Sequence, residues 1–323
     1  MSPAEPRRMP IREFISRFGT PLAGLGVLLF FAAFAPGFAS VANLANVLGD
    51  TAFLAILALG FTLAFKVAQI DLSIAEVASL AAVTCGGLLQ LGCPAWAAAA
   101  AAPAVGALLG GLNGWGVTVL RVPSLIMTLG TAAIAKGLAF MVTQGVAFVG
   151  NWPAGFTGLA RGTVLGVPKL LLWLAAVTLL CHVLANWTRV GAHMAATGEA
   201  EEAARLAGIA TARMKRIGMA LSGTLAGLTA LLLAASLSSA APGMAGDHLL
   251  YAIASALLGM TMFEPGKPNV AGTVCAALVL KALGNGLVLF GAAYYVQDIV
   301  LGAVIVGSVA CSAAARKTAA FRA

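Results

Sequence analysis

The chain has 323 residues, 61% of them hydrophobic and only 9% charged, with a mean hydropathy of +0.98. Soluble domains run at about 45–50% apolar and about 25% charged residues, so this composition excludes an ordinary soluble enzyme, a disordered chain and a small disulfide scaffold. The formal net charge of +8 is spread between apolar blocks, which argues for membrane topology over nucleic-acid binding.

A transmembrane helix needs about 20 apolar residues. Ten segments qualify, at about 20–37, 44–66, 71–91, 95–119, 122–143, 169–187, 213–236, 248–263, 270–290 and 294–313. The expected fold class is all-α, a polytopic transmembrane bundle of about ten helices with both termini cytoplasmic. Residues 1–19 read as a cytoplasmic arm, 20–313 as the transmembrane domain and 314–323 as a cytoplasmic tail.

The arm carries Arg7, Arg8, Arg12 and Arg17, and the first segment ends in Ala33-Phe34-Ala35, an arrangement that also occurs in signal peptides. The arm is long and Pro36 follows the would-be cut, so a retained first helix is expected. Lys66, Gln69 and Asp71 fall where the second segment gives way to the third. They fit either a solvated turn capped by Asp71 and Ser73, or a broken helix whose polar start lies inside the bundle. The fourth segment has Gly106, Gly110 and Gly114 on one face, and the seventh has Gly223 and Gly227. Glycines four apart allow helix backbones to approach closely, so small-residue seams are expected.

Between the sixth and seventh segments, residues 198–209 read as a short amphipathic helix outside the membrane. Glu199, Glu201 and Glu202 suit its first turns, Arg205 follows Glu201 at i,i+4, Leu206 and Ile209 give it an apolar side, and Gly208 ends it. Such a helix can dock on a soluble partner or lie on the bilayer. Lys281 sits four residues before Asn285, where a bond within the bundle is possible, and Gln297 and Asp298 begin the last segment as cap or interface residues.

Basic residues test the topology. Four lie in the arm, five between Trp187 and Arg216, and three in the tail at Arg316, Lys317 and Arg322. Six segments separate the first two groups and four separate the last two, so all three can share the cytoplasmic side.

No catalytic constellation is visible. The five cysteines form no CxxC pair and no two of the three histidines are spaced at i,i+4, so no metal site is expected. Gly266-Lys267 is followed by Pro268, and no phosphate-binding loop occurs. The chain itself is expected to bind no cofactor.

Four stretches carry a resemblance: Gly60-Phe-Thr-Leu with Ile70-Asp-Leu-Ser-Ile-Ala75; Arg121-Val-Pro-Ser-Leu-Ile-Met-Thr-Leu-Gly130 with Lys136-Gly-Leu-Ala; Ala203-Ala-Arg-Leu-Ala-Gly-Ile209 with Ser222-Gly223 and Ala226-Gly227; and Asn285-Gly-Leu with Gln297 and Gly302. In this order the chain resembles the permease subunits of bacterial ABC importers for ribose, xylose, arabinose, galactose and related polyols. The resemblance implies an inner-membrane permease that works with a second permease copy or paralogue. It also implies two ABC ATPase subunits, which hold ATP and Mg, and a periplasmic or lipid-anchored sugar-binding protein. It assigns Glu199, Glu202, Arg205, Leu206, Gly208 and Ile209 to the coupling helix that meets the ATPase. The chain departs from the family at Ala75, where Gly is usual, and over Gly259-Met-Thr-Met-Phe-Glu-Pro-Gly-Lys-Pro268, where glycines are lost and prolines gained. That turn is expected to be stiffer and differently shaped.

Polarity at bundle depth makes Thr62, Gln69, Asp71, Asn113, Thr128, Thr131, Gln144 and Asn285 candidate pathway residues for a monosaccharide or small polyol. The alternative reading is a secondary transporter of a small polar solute, driven by an ion gradient through Asp71.

Overall fold

The computed structural model describes residues 11–320, with side chains over 18–310 except those of Tyr294 and Val309. Residues 1–10 of the expected arm and 321–323 of the tail lie outside the described residues.

Each of the ten expected segments is a helix. In chain order these are α1 (Ile11–Phe34), α2 (Val41–Phe65), α3 (Ile74–Gln90), α4 (Ala95–Thr118) and α5 (Ser124–Thr143). A loop follows that holds β1 (Phe148–Val149), a four-residue α6 (Ala154–Thr157), β2 (Thr163–Val164) and β3 (Val167–Pro168). Next come α7 (Lys169–Trp187), α8 (Arg189–Glu199), α9 (Glu201–Leu206), α10 (Thr211–Leu237), β4 (Ser239–Ala240), α11 (His248–Gly259), α12 (Val270–Leu289) and α13 (Tyr294–Ala320). The first helix begins at Ile11, inside the stretch read as an arm, and the last runs past residue 313 to Ala320. By length and composition α2, α4, α5, α7, α10 and α12 can each cross a membrane, while α3, α11 and parts of α1 and α13 are shorter apolar helices.

The core is built on α2. It is apolar all round, and every residue from Thr51 to Ala64 is buried, which is the pattern of a helix enclosed by other helices. Its neighbour α10 is buried over most of its length. The two glycine seams read from the sequence meet each other. A Cβ added at Gly106 would fall on the Gly223 carbonyl, one at Gly223 on the Gly106 carbonyl, and one at Gly227 on the Ala102 carbonyl. One at Gly114 would sit 2.8 Å from the Arg216 Cα. So α4 and α10 touch backbone to backbone over several turns, a contact that side chains larger than hydrogen would prevent.

Two ends can be distinguished. One carries the antiparallel pairs β1–β4 and β2–β3. The other carries the α2–α3 connection, α8, α9 and the turn between α11 and α12.

Candidate functional site

The α2–α3 connection is a broken helix, and its polar residues lie inside the bundle. Asp71 is fully buried, so the solvated-turn reading does not hold. After α2 the chain turns at Ala68, whose φ is +55°, and runs without helical structure to Ser73. Backbone that leaves a helix within a bundle must find partners elsewhere. Here α5 supplies them. The Ile70 amide donates to Ser124 Oγ at 3.3 Å and the Leu72 amide to Thr128 Oγ1 at 3.2 Å.

Asp71 anchors a chain of polar side chains. Its Oδ1 accepts from the Ser73 amide at 3.0 Å and Ser73 Oγ at 2.6 Å, and its Oδ2 accepts from Ser222 Oγ of α10 at 2.8 Å. Ser73 Oγ accepts in turn from Asn113 Nδ2 of α4 at 2.9 Å, and Asn113 Oδ1 accepts from Thr131 Oγ1 of α5 at 2.5 Å. The network therefore ties α3, α4, α5 and α10 together. Its members satisfy one another, as buried polar groups must.

At the α9 end, the stretch expected as one helix is two. The chain bends at Ala200, φ −153°, so α8 closes at Glu199 and α9 has only six residues. Gly198 lies against the Lys66 carbonyl, leaving no room for a Cβ there. The expected Arg205–Glu201 pair is replaced as well. Arg205 bonds Glu202 at 2.9 Å, and Glu201, now the first residue of α9, faces α10 and meets Lys215 Nζ at 2.7 Å. Gly208 ends α9 as expected, with φ +83°. Its amide reaches the Arg205 carbonyl and the Ile209 amide reaches the Ala204 carbonyl, both at 3.0 Å. The apolar side is divided: Leu206 is 82% exposed, while Ile209 packs against the core.

The divergent turn belongs to the same end. Asn269 caps α12 through the Gly272 amide at 2.7 Å, and its own amide group donates to the Gly259, Met262 and Lys267 carbonyls at 3.1–3.2 Å. Lys267 Nζ then reaches Glu199 Oε1 at 2.6 Å, joining this turn to the end of α8. The hydrogen bond and charge of Glu199 hold the Lys267 ammonium above the ordinary lysine pKa.

A cavity of about 490 Å³ opens among α2, α11, α12 and α13, in the half of the bundle nearer the β-strand pairs. Asp50, Asp247, Tyr251, Lys281, Asn285, Gln297 and Asp298 supply its polar lining. Of the eight candidate pathway residues, only Asn285 reaches it, held by reciprocal bonds of 2.8 and 3.0 Å with Asn43. Asp71, Asn113 and Thr131 are in the closed network, Thr128 braces the broken helix, and Thr62 is paired with Thr273 at 2.8 Å. Gln69 bonds the carbonyls of Val67 and Ala68, and Gln144 is exposed at the end of α5, bonded to the Met141 carbonyl. Asp50 and Tyr251 were not anticipated. Asp50 had a usable signal, being a lone carboxylate inside an otherwise apolar segment. Among the described residues no group of three or more His, Cys, Asp or Glu side chains is placed to hold a metal ion.

The family model described as branched-chain amino acid transport system / permease component matches residues 43–309. The ribose import permease protein of Escherichia coli strain K12 is 34% identical over 304 residues, covering 93% of this chain and 94% of that one. The ribose import permease protein of Bacillus subtilis strain 168 is 30% identical over 93% and 94%. The L-arabinose transport system permease protein of E. coli K12 is 29% identical over 90% and 91%. An ABC transporter described as of metal-chelate type, solved facing inward, superposes with a TM-score of 0.56 at 14% identity, covering 90% of this chain and 97% of that one, which speaks to fold alone.

Proposed function

We propose that this chain, which belongs to the branched-chain amino acid transport system permease-component family, is the membrane subunit of an importer of a monosaccharide or small polyol. The observation that carries the substrate class is the end-to-end similarity to ribose and arabinose permeases. Permeases of this family are transport components rather than enzymes, so ATP and Mg belong to a partner ATPase. The α9 end is then the cytoplasmic face, the β-strand end faces the periplasm, and the membrane is the bacterial inner membrane. A binding protein, periplasmic or lipid-anchored, delivers solute to the β-strand end. A second permease copy or paralogue completes the pathway.

Force reaches the bundle through α8 and α9 as coupling segment, with Glu199, Glu202, Arg205 and Leu206 toward the ATPase and Gly208 and Ile209 setting the junction with α10. The α4–α10 seam suits rigid-body movement, because backbone contact leaves little side-chain slack. Transport is then a shift of population between bundle states that the partners bind differently. The gradient-driven alternative rests on Asp71, and both oxygens of that buried carboxylate already accept from hydroxyl and amide donors of the chain.

The test is co-purification from native membranes under mild detergent, with mass spectrometry of the bound subunits. A stoichiometric ATPase is expected. A chain that emerges alone, with uptake that survives ATP depletion, overturns the reading.

A further inference from the structure

We propose that the cavity among α2, α11, α12 and α13 is a solute site within a single permease chain, selective for uncharged polyhydroxylated solutes over their anionic relatives. The inference rests on the permease reading above and adds the place and chemistry of the site.

Three observations carry it. The first is the contrast in commitment between the two polar regions. In the Asp71 network every side chain is bound to another. In the cavity, Asp50, Asp298 and Gln297 make no hydrogen bond or salt bridge with another described side chain, and Lys281 Nζ rests over the Tyr251 ring at 5.4 Å. Asp50 and Asp298 are exposed at the cavity and Gln297 is half-buried, so their polar atoms are left for water or a solute to satisfy.

The second is the position of Asp50. It is exposed although it lies within α2, whose next residues are all buried. An ionisable side chain in a membrane helix that faces a cavity marks a solute path by default.

The third is the balance of donors, acceptors and charge. Three carboxylates, from Asp50, Asp247 and Asp298, face one ammonium, that of Lys281. Carboxylates accept from hydroxyls in charge-assisted bonds, while Lys281 and Gln297 can donate to hydroxyl or ring oxygens. The surplus negative charge disfavours a carboxylate or phosphate on the solute. The volume falls in the range of about 300–1,000 Å³ typical of small-molecule sites.

The experiment uses right-side-out membrane vesicles loaded with ATP and holding the chain with its ATPase, with the binding protein added outside for the uptake measurements. Val288 lines the cavity and is 54% exposed, so Val288→Cys should fold normally. A membrane-impermeant thiosulfonate added outside should modify it above the background of the unsubstituted chain. D-ribose at about twice its dissociation constant should slow that modification about threefold, by simple occupancy. D-ribonate, of the same length but anionic, should not. In the same vesicles Asp50→Asn and Asp298→Asn should each lower ATP-driven ribose uptake about tenfold, the loss of one charge-assisted bond, while retaining ATPase capture. No modification from outside, no protection by ribose, equal protection by ribonate, or unchanged uptake in both variants would overturn the proposal. Failure of the permease reading looks different: the unsubstituted chain would neither capture an ATPase nor accumulate ribose or arabinose at the expense of ATP.

Discussion

Asp50 and Asp71 are both carboxylates of largely apolar stretches, and their surroundings give them different work. Among the described residues Asp71 makes no salt bridge. Three donors, from the Ser73 amide and the Ser73 and Ser222 hydroxyls, satisfy it, and it precedes the first turn of α3, where the helix dipole favours negative charge. A carboxylate so held is a structural tie. Asp71→Asn keeps the Oδ1 bonds and offers an amide that Ser222 Oγ can accept, so it should retain ATP-driven uptake and assembly. Asp71→Ala strands the hydroxyls of Ser73 and Ser222 and should cost about 1–3 kcal/mol per unsatisfied buried group. Thermal unfolding in detergent beside an uptake assay checks both variants. If Asp71→Asn folds but uptake is abolished, Asp71 takes part in the transport cycle and the structural assignment fails. Sequence alone could flag this residue but could not choose between turn and bundle, because the choice depends on Ser222, more than a hundred residues away in the chain.

At the scale of elements, the sequence was most legible where one property dominates. Apolar runs interrupted by Pro, Gly and charges located all ten long helices to within a few residues, apart from the outer ends of α1 and α13. The glycine spacing identified both faces of the α4–α10 contact without saying that they would meet. Residues 198–209 were less legible. Ala200 is a strong helix former, and nothing local marks a break there. Two residues before the bend, Gly198 packs on the Lys66 carbonyl, a contact between distant segments that sequence does not display. The split also separates Leu206 from Ile209, with a consequence for mutagenesis. Leu206 meets nothing that shields it in the free chain, so Leu206→Asp should leave thermal stability within about 0.5 kcal/mol while weakening ATPase capture. Ile209 packs on the core, so Ile209→Asp should lower the stability of the isolated chain by burying an unpaired charge. Pull-down and unfolding of both variants separate the two effects, and unchanged ATPase capture by Leu206→Asp would remove α9 from the docking surface. The cavity was the least legible feature. Hydropathy averaged over a helix hides one carboxylate among many apolar neighbours, and a site assembled from four helices has no spacing to read.

For the whole molecule, the two ends are built differently. The cavity half holds uncommitted groups, whereas at the α9 end two charge pairs, Lys267–Glu199 and Lys215–Glu201, join separate elements. The Lys267–Glu199 pair is the joint between the α11–α12 turn and α8, and both side chains are more than half exposed, 60% and 56%. Exposed pairs contribute about 0.2–1 kcal/mol, so this joint can open during a transport cycle at small cost. Because Lys267 is held above its unfolded pKa, the contribution is fully present below the ordinary lysine value and disappears as pH rises through the raised one. Lys267→Met should therefore lower stability by less than about 1 kcal/mol from neutral to mildly alkaline pH. The difference from the parent chain should vanish only in strongly alkaline buffer, and added salt should shrink it. In the assembled importer the same variant should change how strongly loaded binding protein stimulates ATP hydrolysis, because the turn and α8 are then free to move apart. Unfolding across pH and salt, run beside the ATPase assay, decides the matter. A loss of several kcal/mol with unaltered stimulation would make the pair a fixed structural brace, and the moving joint at this end would have to be sought elsewhere, between α9 and α10 where Lys215 meets Glu201.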